Sequence, residues 1–280
     1  MGRGAHKHCD TCPVTTGEET QDQPHGNLRT AVVRVPAATA LFWITKALST
    51  AMGEATSDFL VHGLPPAVAV ALGFIALVGA LILQFRARRY VPWIYWLAVA
   101  MVGVFGTMAA DTLHVGLGIP YVVSSAFLAV ALAAVFVLWY VSEKNLSIHG
   151  IYTARREAFY WAAVMATFAL GTAVGDMTAT TLHLGYLASG LMFAVLLAVP
   201  AVAYRWFAMN AILAFWFAYV LTRPLGASFA DWMSVSSARG GLALGPGTVS
   251  LGLSLLVVVS VVYMTVRATG TRQGLQQAER

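Results

Sequence analysis

Beyond a polar leader, the chain alternates long apolar stretches with short polar breaks. Eight apolar segments run roughly over residues 37–59, 65–86, 91–113, 120–142, 157–181, 184–206, 208–232 and 247–268. At ~1.5 Å per helical residue each is about long enough to cross ~30 Å of hydrocarbon. The even segments, such as residues 67–83 (AVAVALGFIALVGALIL) and 249–264 (VSLGLSLLVVVSVVYM), are nearly featureless. The odd ones carry a pattern written four times: an aromatic-Trp pair, nine residues, Gly, four residues, Asp. It reads Phe42-Trp43, Gly53, Asp58; Tyr95-Trp96, Gly106, Asp111; Tyr160-Trp161, Gly171, Asp176; and Phe215-Trp216, Gly226, Asp231. A carboxylate is expensive in such apolar surroundings, so four at one register point to a shared task inside a membrane, most simply holding a cation.

The repeating unit is a hairpin of one patterned and one plain helix. An even number of spans per unit sends all four copies into the membrane in the same direction. The predicted fold is therefore an all-α membrane protein of eight transmembrane helices, four parallel-topology two-helix repeats in a pseudo-symmetric bundle about an axis along the membrane normal, with the patterned helices lining the middle. The repeats fall at about 37–88, 90–144, 157–206 and 208–268, within a membrane domain spanning 32–268. A tail, 1–30, precedes it and a short one, 269–280, follows.

A hydrophobic fraction of 59% with 10% charged residues excludes an ordinary soluble domain. The net charge of +5 does not mark a nucleic-acid binder. Its basic residues sit in short clusters between apolar stretches: Arg86, Arg88 and Arg89; Lys144, Arg155 and Arg156; Arg205; Arg267 and Arg272. All fall on the side of the N-terminus, while the opposite loops hold only Arg239, so both termini are expected in the cytoplasm. Each Asp then lies toward the outer end of its helix, about 22 Å above its Trp. The Trp residues are expected to mark the inner interface.

In a helix, steps of seven, eleven and fifteen from the Trp share one narrow stripe. In the first copy the stripe, begun one turn above the Trp, reads Lys46, Thr50, Glu54, Asp58; in the second Thr107 and Asp111; in the third Thr172 and Asp176; in the fourth Arg223, Ala227 and Asp231. Lys46 and Arg223, buried beside carboxylates, would form ion pairs exchangeable for a bound cation. Glu54 would be a second ligand or proton acceptor. A blander reading stands beside this one: Gly lets helices approach, Trp anchors an interface, Asp caps a loop. Glu54 argues against it, because a loop cap needs no second acid one turn deeper.

Three histidines follow the acids: His62, His114 and His183, the last two in the similar settings Thr112-Leu113-His114-Val115-Gly116 and Thr181-Leu182-His183-Leu184-Gly185. Carboxylate with imidazole suits Mn, Fe or Zn better than alkali ions; three polar residues at wet helix ends is the equal alternative. The leader, residues 1–30, is too polar to order itself and lacks a signal-peptide pattern, so the first apolar segment is expected to remain as a helix. Within it, His6-Lys7-His8-Cys9-Asp10-Thr11-Cys12 is a candidate capture site for a borderline divalent metal, or else a solvated tail. Cys9 and Cys12 are the only cysteines, so no disulfide crosslinks the helices. No Walker-type phosphate loop occurs, which removes ATP as an energy source within the chain.

Residues 35–60 (VPAATALFWITKALSTAMGEATSDFL), 95–113 (YWLAVAMVGVFGTMAADTL) and 159–182 (FYWAAVMATFALGTAVGDMTATTL) resemble the repeats of a family of bacterial membrane proteins, the repeat-of-unknown-function class numbered 347. The likeness covers about 32–268, and its most specific part is Lys46, Gly53-Glu54 and Asp58. It implies a multi-pass inner-membrane protein built from such repeats, and no particular activity. The fourth copy departs furthest, with Arg223-Pro224 before Gly226 and a Gly-rich loop at 239–247; its Pro is expected to break the seventh helix.

The functional expectation is a secondary transporter for a cation, a divalent transition metal (Mn, Fe or Zn) carried as substrate, with export favoured over import. Asp58, Asp111, Asp176 and Asp231 would be its ligands, with Glu54, and Lys46 and Arg223 the coupling counter-charges. No tightly bound cofactor and no enzymatic activity are expected, and the oligomeric state stays open. The alternative is a non-transporting scaffold or sensor in which the same residues make helix contacts.

Overall fold

The computed structural model describes residues 34–278, residues 37 and 88 excepted; the predicted tail site at Cys9 and Cys12 lies outside the described residues. Among those described there are eight α-helices and no strand: α1 (Ala40–Gly63), α2 (Pro66–Arg86), α3 (Pro92–Asp111), α4 (Tyr121–Glu143), α5 (Ala154–Asp176), α6 (Tyr186–Trp206), α7 (Ala211–Ser234) and α8 (Pro246–Ala278). Local chemistry sets the starts. Proline, whose missing N–H costs nothing in the first turn, opens α2, α3 and α8. The side-chain oxygens of Thr39, Thr153 and Asn210 accept first-turn N–H groups of α1, α5 and α7.

The odd helices form a closed inner ring: α1 packs on α3, α3 on α5, α5 on α7, and α7 back on α1. The even helices surround it. Their most apolar windows are only 22%, 28%, 22% and 17% buried, against 67% in α3 and α5, so they form the shell that faces lipid. Seven helices are long and apolar enough to cross a membrane; α1, the eighth, carries Lys46, Glu54 and Asp58, all turned toward the ring. The hairpin is a unit of sequence and not of packing. Each even helix lies chiefly against the odd helix of the next repeat, α2 on α3, α4 on α5 and α6 on α7, and α8 closes the circle on α1. Every repeat is thereby clamped by its neighbour.

The written pattern explains this circle residue by residue. The first aromatic of each repeat meets the Trp of the next: Phe42 with Trp96 (5.7 Å between ring centroids), Tyr95 with Trp161 (5.7 Å), Tyr160 with Trp216 (6.1 Å), and Phe215 with Trp43 (5.5 Å). These rings form a packed layer inside the bundle, with Trp96, Trp161 and Trp216 each at most 5% exposed. The expectation that Trp marks the membrane interface is therefore corrected: the indoles build an aromatic seal, because large flat rings fill the space between inner helices better than they serve lipid headgroups. The repeated Gly follows the same rule. A Cβ on Gly53 would lie 2.9 Å from the Gly103 backbone, on Gly106 2.8 Å from Phe168 Cβ, on Gly171 2.6 Å from Arg223 Cβ, and on Gly226 2.8 Å from Thr50 Cβ. Each partner stands seven residues after the Trp of the next repeat, so the missing side chain is what lets adjacent inner helices touch.

Two further features depart from expectation. Pro224 does not break α7, which runs unbroken from Ala211 to Ser234. Instead α3 and α5 change pitch where they reach their acids: five-residue π-turns, Thr112–Gly116 and Met177–Thr181, begin directly after Asp111 and Asp176. Such turns are frequent at functional sites. The Gly-rich loop after α7 folds over that helix end, where the N–H groups of Leu242, Ala243, Leu244 and Gly245 satisfy the carbonyls of Trp232, Val235, Met233 and Ser234.

Candidate functional site

Climbing the stripe from the aromatic seal, the first layer, three residues beyond each Trp, holds Lys46, Val99, Val164 and Tyr219. Lys46 is 1% exposed, and its Nζ sits 4.0 Å from the Phe168 ring centroid and 4.2 Å from that of Tyr219. It has no hydrogen-bond partner among the described residues. The predicted Lys46–carboxylate pair is thus corrected, because Lys46 lies two turns below Glu54 and its stem ends between two aromatic faces. A buried, unpaired ammonium is a cost that a thioether of similar length would not carry. Lys46→Met is expected to leave the melting temperature of the detergent-purified protein unchanged or higher; a fall of many degrees would show that the ammonium holds the bundle together.

Above Lys46, all four repeats contribute to one buried polar knot. Arg223 Nη2 donates to Glu54 Oε2 at 2.6 Å, to Thr172 Oγ1 at 2.6 Å and to Thr107 Oγ1, while Nη1 donates to the Thr50 carbonyl at 3.1 Å. The hydroxyls of Thr107 and Thr172 are also within 3.1 and 3.3 Å of Glu54 Oε2. Glu54, Thr107 and Thr172 occupy the same register in α1, α3 and α5; the fourth copy has Ala227 there, and Arg223 reaches up from the layer below. The guanidinium also lies 5.0 Å from the Phe168 centroid. The side chains of Arg223 and Glu54 are 0% and 4% exposed, so the cost of burying the pair is offset only because these extra hydrogen bonds satisfy Glu54 Oε2 and both terminal nitrogens of the guanidinium.

One turn higher the bundle opens. A cavity of about 1040 Å³ is lined by Glu54 at its floor and by Asp58, Asp111, Asp176 and Asp231, together with His62, Arg239, Tyr121 and Tyr186. All five predicted acids therefore share one space. Among the described residues no side chain of the four Asp takes part in a hydrogen bond or salt bridge. Four acidic side chains without hydrogen-bond or salt-bridge partners thus face one cavity, which Arg239 and His62 also line.

The histidines divide. His62 lines the cavity, with its Nδ1 bound 2.7 Å from the Asp58 carbonyl. His114 turns to its own loop, with Nδ1 2.6 Å from the Ile119 carbonyl and its ring stacked on Tyr121. His183, exposed and at φ 55°, does not line the cavity. Among the described residues no three His, Cys, Asp or Glu side chains stand close enough to hold one metal ion. The metal cluster expected from Asp58, Asp111, Asp176, Asp231, His62, His114 and His183 is therefore not assembled, and the acids stand around a wide chamber.

Tyr121 and Tyr186 are wall residues that sequence reasoning missed. The signal was present: each follows its Asp by ten residues and opens the next even helix, in the second and third copies alike.

A family model, Repeat of Unknown Function (DUF347), matches four stretches of the chain, residues 41–90, 94–145, 159–210 and 214–269. The chain belongs to that family. Each DUF347 repeat spans one odd and one even helix, so the boundary between matched repeats falls between an even helix and the odd helix on which it chiefly packs. No curated protein and no solved structure matches the chain.

Proposed function

We propose that this DUF347 protein is a secondary transporter that binds a cation in the acidic chamber. The observation that carries the reading is the convergence of Glu54, Asp58, Asp111, Asp176 and Asp231 on one cavity, with none of the four Asp side chains in a hydrogen bond or salt bridge among the described residues. The Arg223–Glu54 knot and the aromatic seal close that cavity below, as expected of one state in an alternating-access cycle. The basic clusters at the Trp end support, by the positive-inside rule, a reading with both termini in the cytoplasm of a bacterial inner membrane and the chamber facing outward. That no group of metal ligands is assembled among the described residues favours a cation held by charge over one held in a tight coordination shell.

The scaffold reading has one observation of its own: the Arg223 knot ties all four inner helices and would do so without any substrate. Flux separates the two. Proteoliposomes assayed with Na⁺, Mn²⁺ and tetramethylammonium are expected to take up at least one of them, and Asp111→Asn with Asp176→Asn to cut that uptake by about tenfold or more at unchanged folded yield. Absence of flux for all three, or wild-type flux in the double variant, would leave the scaffold reading in place.

A further inference from the structure

We propose that the cation taken by this chamber is an organic one with an apolar body, a protonated amine or an onium ion, and that it enters sideways from the lipid between α1 and α2. This rests on the cation-binding reading above and names the substrate class.

The chamber is built in two halves of opposite chemistry. One is the ring of acids. The other is an apolar arm made by Val61, Val70, Ala71, Phe74, Phe105 and Met108, from α1, α2 and α3. A dehydrated divalent ion needs several ligands at ~2.0–2.6 Å, which no group of side chains among the described residues provides, and a hydrated one has no use for an apolar wall. The volume, about 1040 Å³, is that of a site for a molecule of drug size, lined mostly by apolar groups with a few placed charges.

The arm also reaches the outside of the bundle. Phe74, on the lipid-facing helix α2, lines the chamber and is 52% exposed, its ring 5.5 Å from that of Phe105. It stands eight residues into α2, ~12 Å below the outer end of that helix and well inside the hydrocarbon. The arm exists because α2 is held by α3 and only loosely by α1, the swap that clamps every repeat to the next. At the acidic end Tyr121 and Tyr186 add aromatic faces of the kind that receive onium groups. Among the described residues the other inter-helix grooves add, beside their acids, only Tyr121, Tyr186, Arg239 and residues of the turns and loops, so the arm occurs only where α2 meets α1 and α3.

The test uses the full chain in nanodiscs, with protein-free discs as blank, and titrates tetraphenylphosphonium, tetramethylammonium and Mn²⁺. Saturable tetraphenylphosphonium binding is expected, displaced poorly by Mn²⁺. Ala71→Trp, which fills the arm and touches no acid, is expected to weaken tetraphenylphosphonium about tenfold or more and to leave tetramethylammonium unchanged. Phe74→Ala, at a half-exposed position where folding is secure, should weaken tetraphenylphosphonium severalfold with the same selectivity. Tetraphenylphosphonium bound no better than the blank, while tetramethylammonium or Mn²⁺ binds, would overturn this inference and leave the cation-binding reading standing; binding of none of the three would remove both. Equal loss of both organic cations in Ala71→Trp and Phe74→Ala would overturn the lateral arm.

Discussion

Arg223→Met is expected to abolish the folded protein, and Arg223→Met with Glu54→Gln to restore most of it. Among the described residues the guanidinium is the only cation paired with Glu54; its side chain is fully buried, and that of Glu54 is 4% exposed, at the chamber floor. Removing one partner of a buried pair leaves an uncompensated charge and costs ~3–5 kcal/mol, a large share of a total stability of ~5–15 kcal/mol. Two threonine hydroxyls cannot neutralise the carboxylate that remains. The double variant removes both charges, keeps Thr107 and Thr172 as hydrogen-bond partners for the amide, and fills the arginine's space with an unbranched apolar chain. Melting temperature in detergent and the monodisperse peak in size-exclusion chromatography read both outcomes. A single variant that melts like wild type would show that the knot does not hold the inner ring together, and equal collapse of single and double variants would assign its value to shape instead of charge.

The inner ring was legible because its information is periodic. Aromatic-Trp, Gly and Asp recur at fixed intervals, and a repeat that enters the membrane in one direction each time leaves a closed circle as the natural arrangement. What each Gly and Trp touches was not legible. Both make contacts across the ring to the next copy, which a single helix does not reveal, and Trp is as common at membrane interfaces as in a packed seal. The partner of each even helix was hidden for a plainer reason: helices such as α2 and α4 are apolar all round and carry no polar stripe to announce a buried face.

At the site, the convergence of Glu54 and the four Asp was readable from their common register, but the metal cluster was not borne out in the geometry. His114 and His183 look alike in their Thr-Leu-His-x-Gly settings, yet the first follows its Asp by three residues and the second by seven, so the likeness is one of letters and not of place. Lys46 misled in another way. Steps of four put it on the stripe of Glu54, but a stripe passes through layers of different chemistry, and its layer is aromatic.

Gly53→Val is expected to be the most damaging single change to the inner ring outside the charged knot, and Gly79→Val to be silent. Both replace glycine by the same side chain in a long membrane helix, so intrinsic propensity cancels between them. Their surroundings do not. At Gly53 a Cβ would lie 2.9 Å from both Cα and C of Gly103, where two backbones cross with no side chain between them. A side chain can turn aside, but a backbone in the middle of a packed helix cannot, so α1 and α3 must separate. Overpacking of this kind costs ~1–3 kcal/mol and occasionally more, and here the displaced helix also carries Glu54 away from Thr107 and Arg223 one residue later. Around Gly79, on lipid-facing α2, nothing lies within 4 Å of a built Cβ, and an added isopropyl group simply meets lipid. Thermal melts of the two variants side by side should therefore differ by many degrees, with Gly53→Ala in between. If Gly53→Val melts with Gly79→Val, α1 and α3 do not touch at this point, and the contact rule that joins each repeated glycine to the following copy is wrong where it should be strictest.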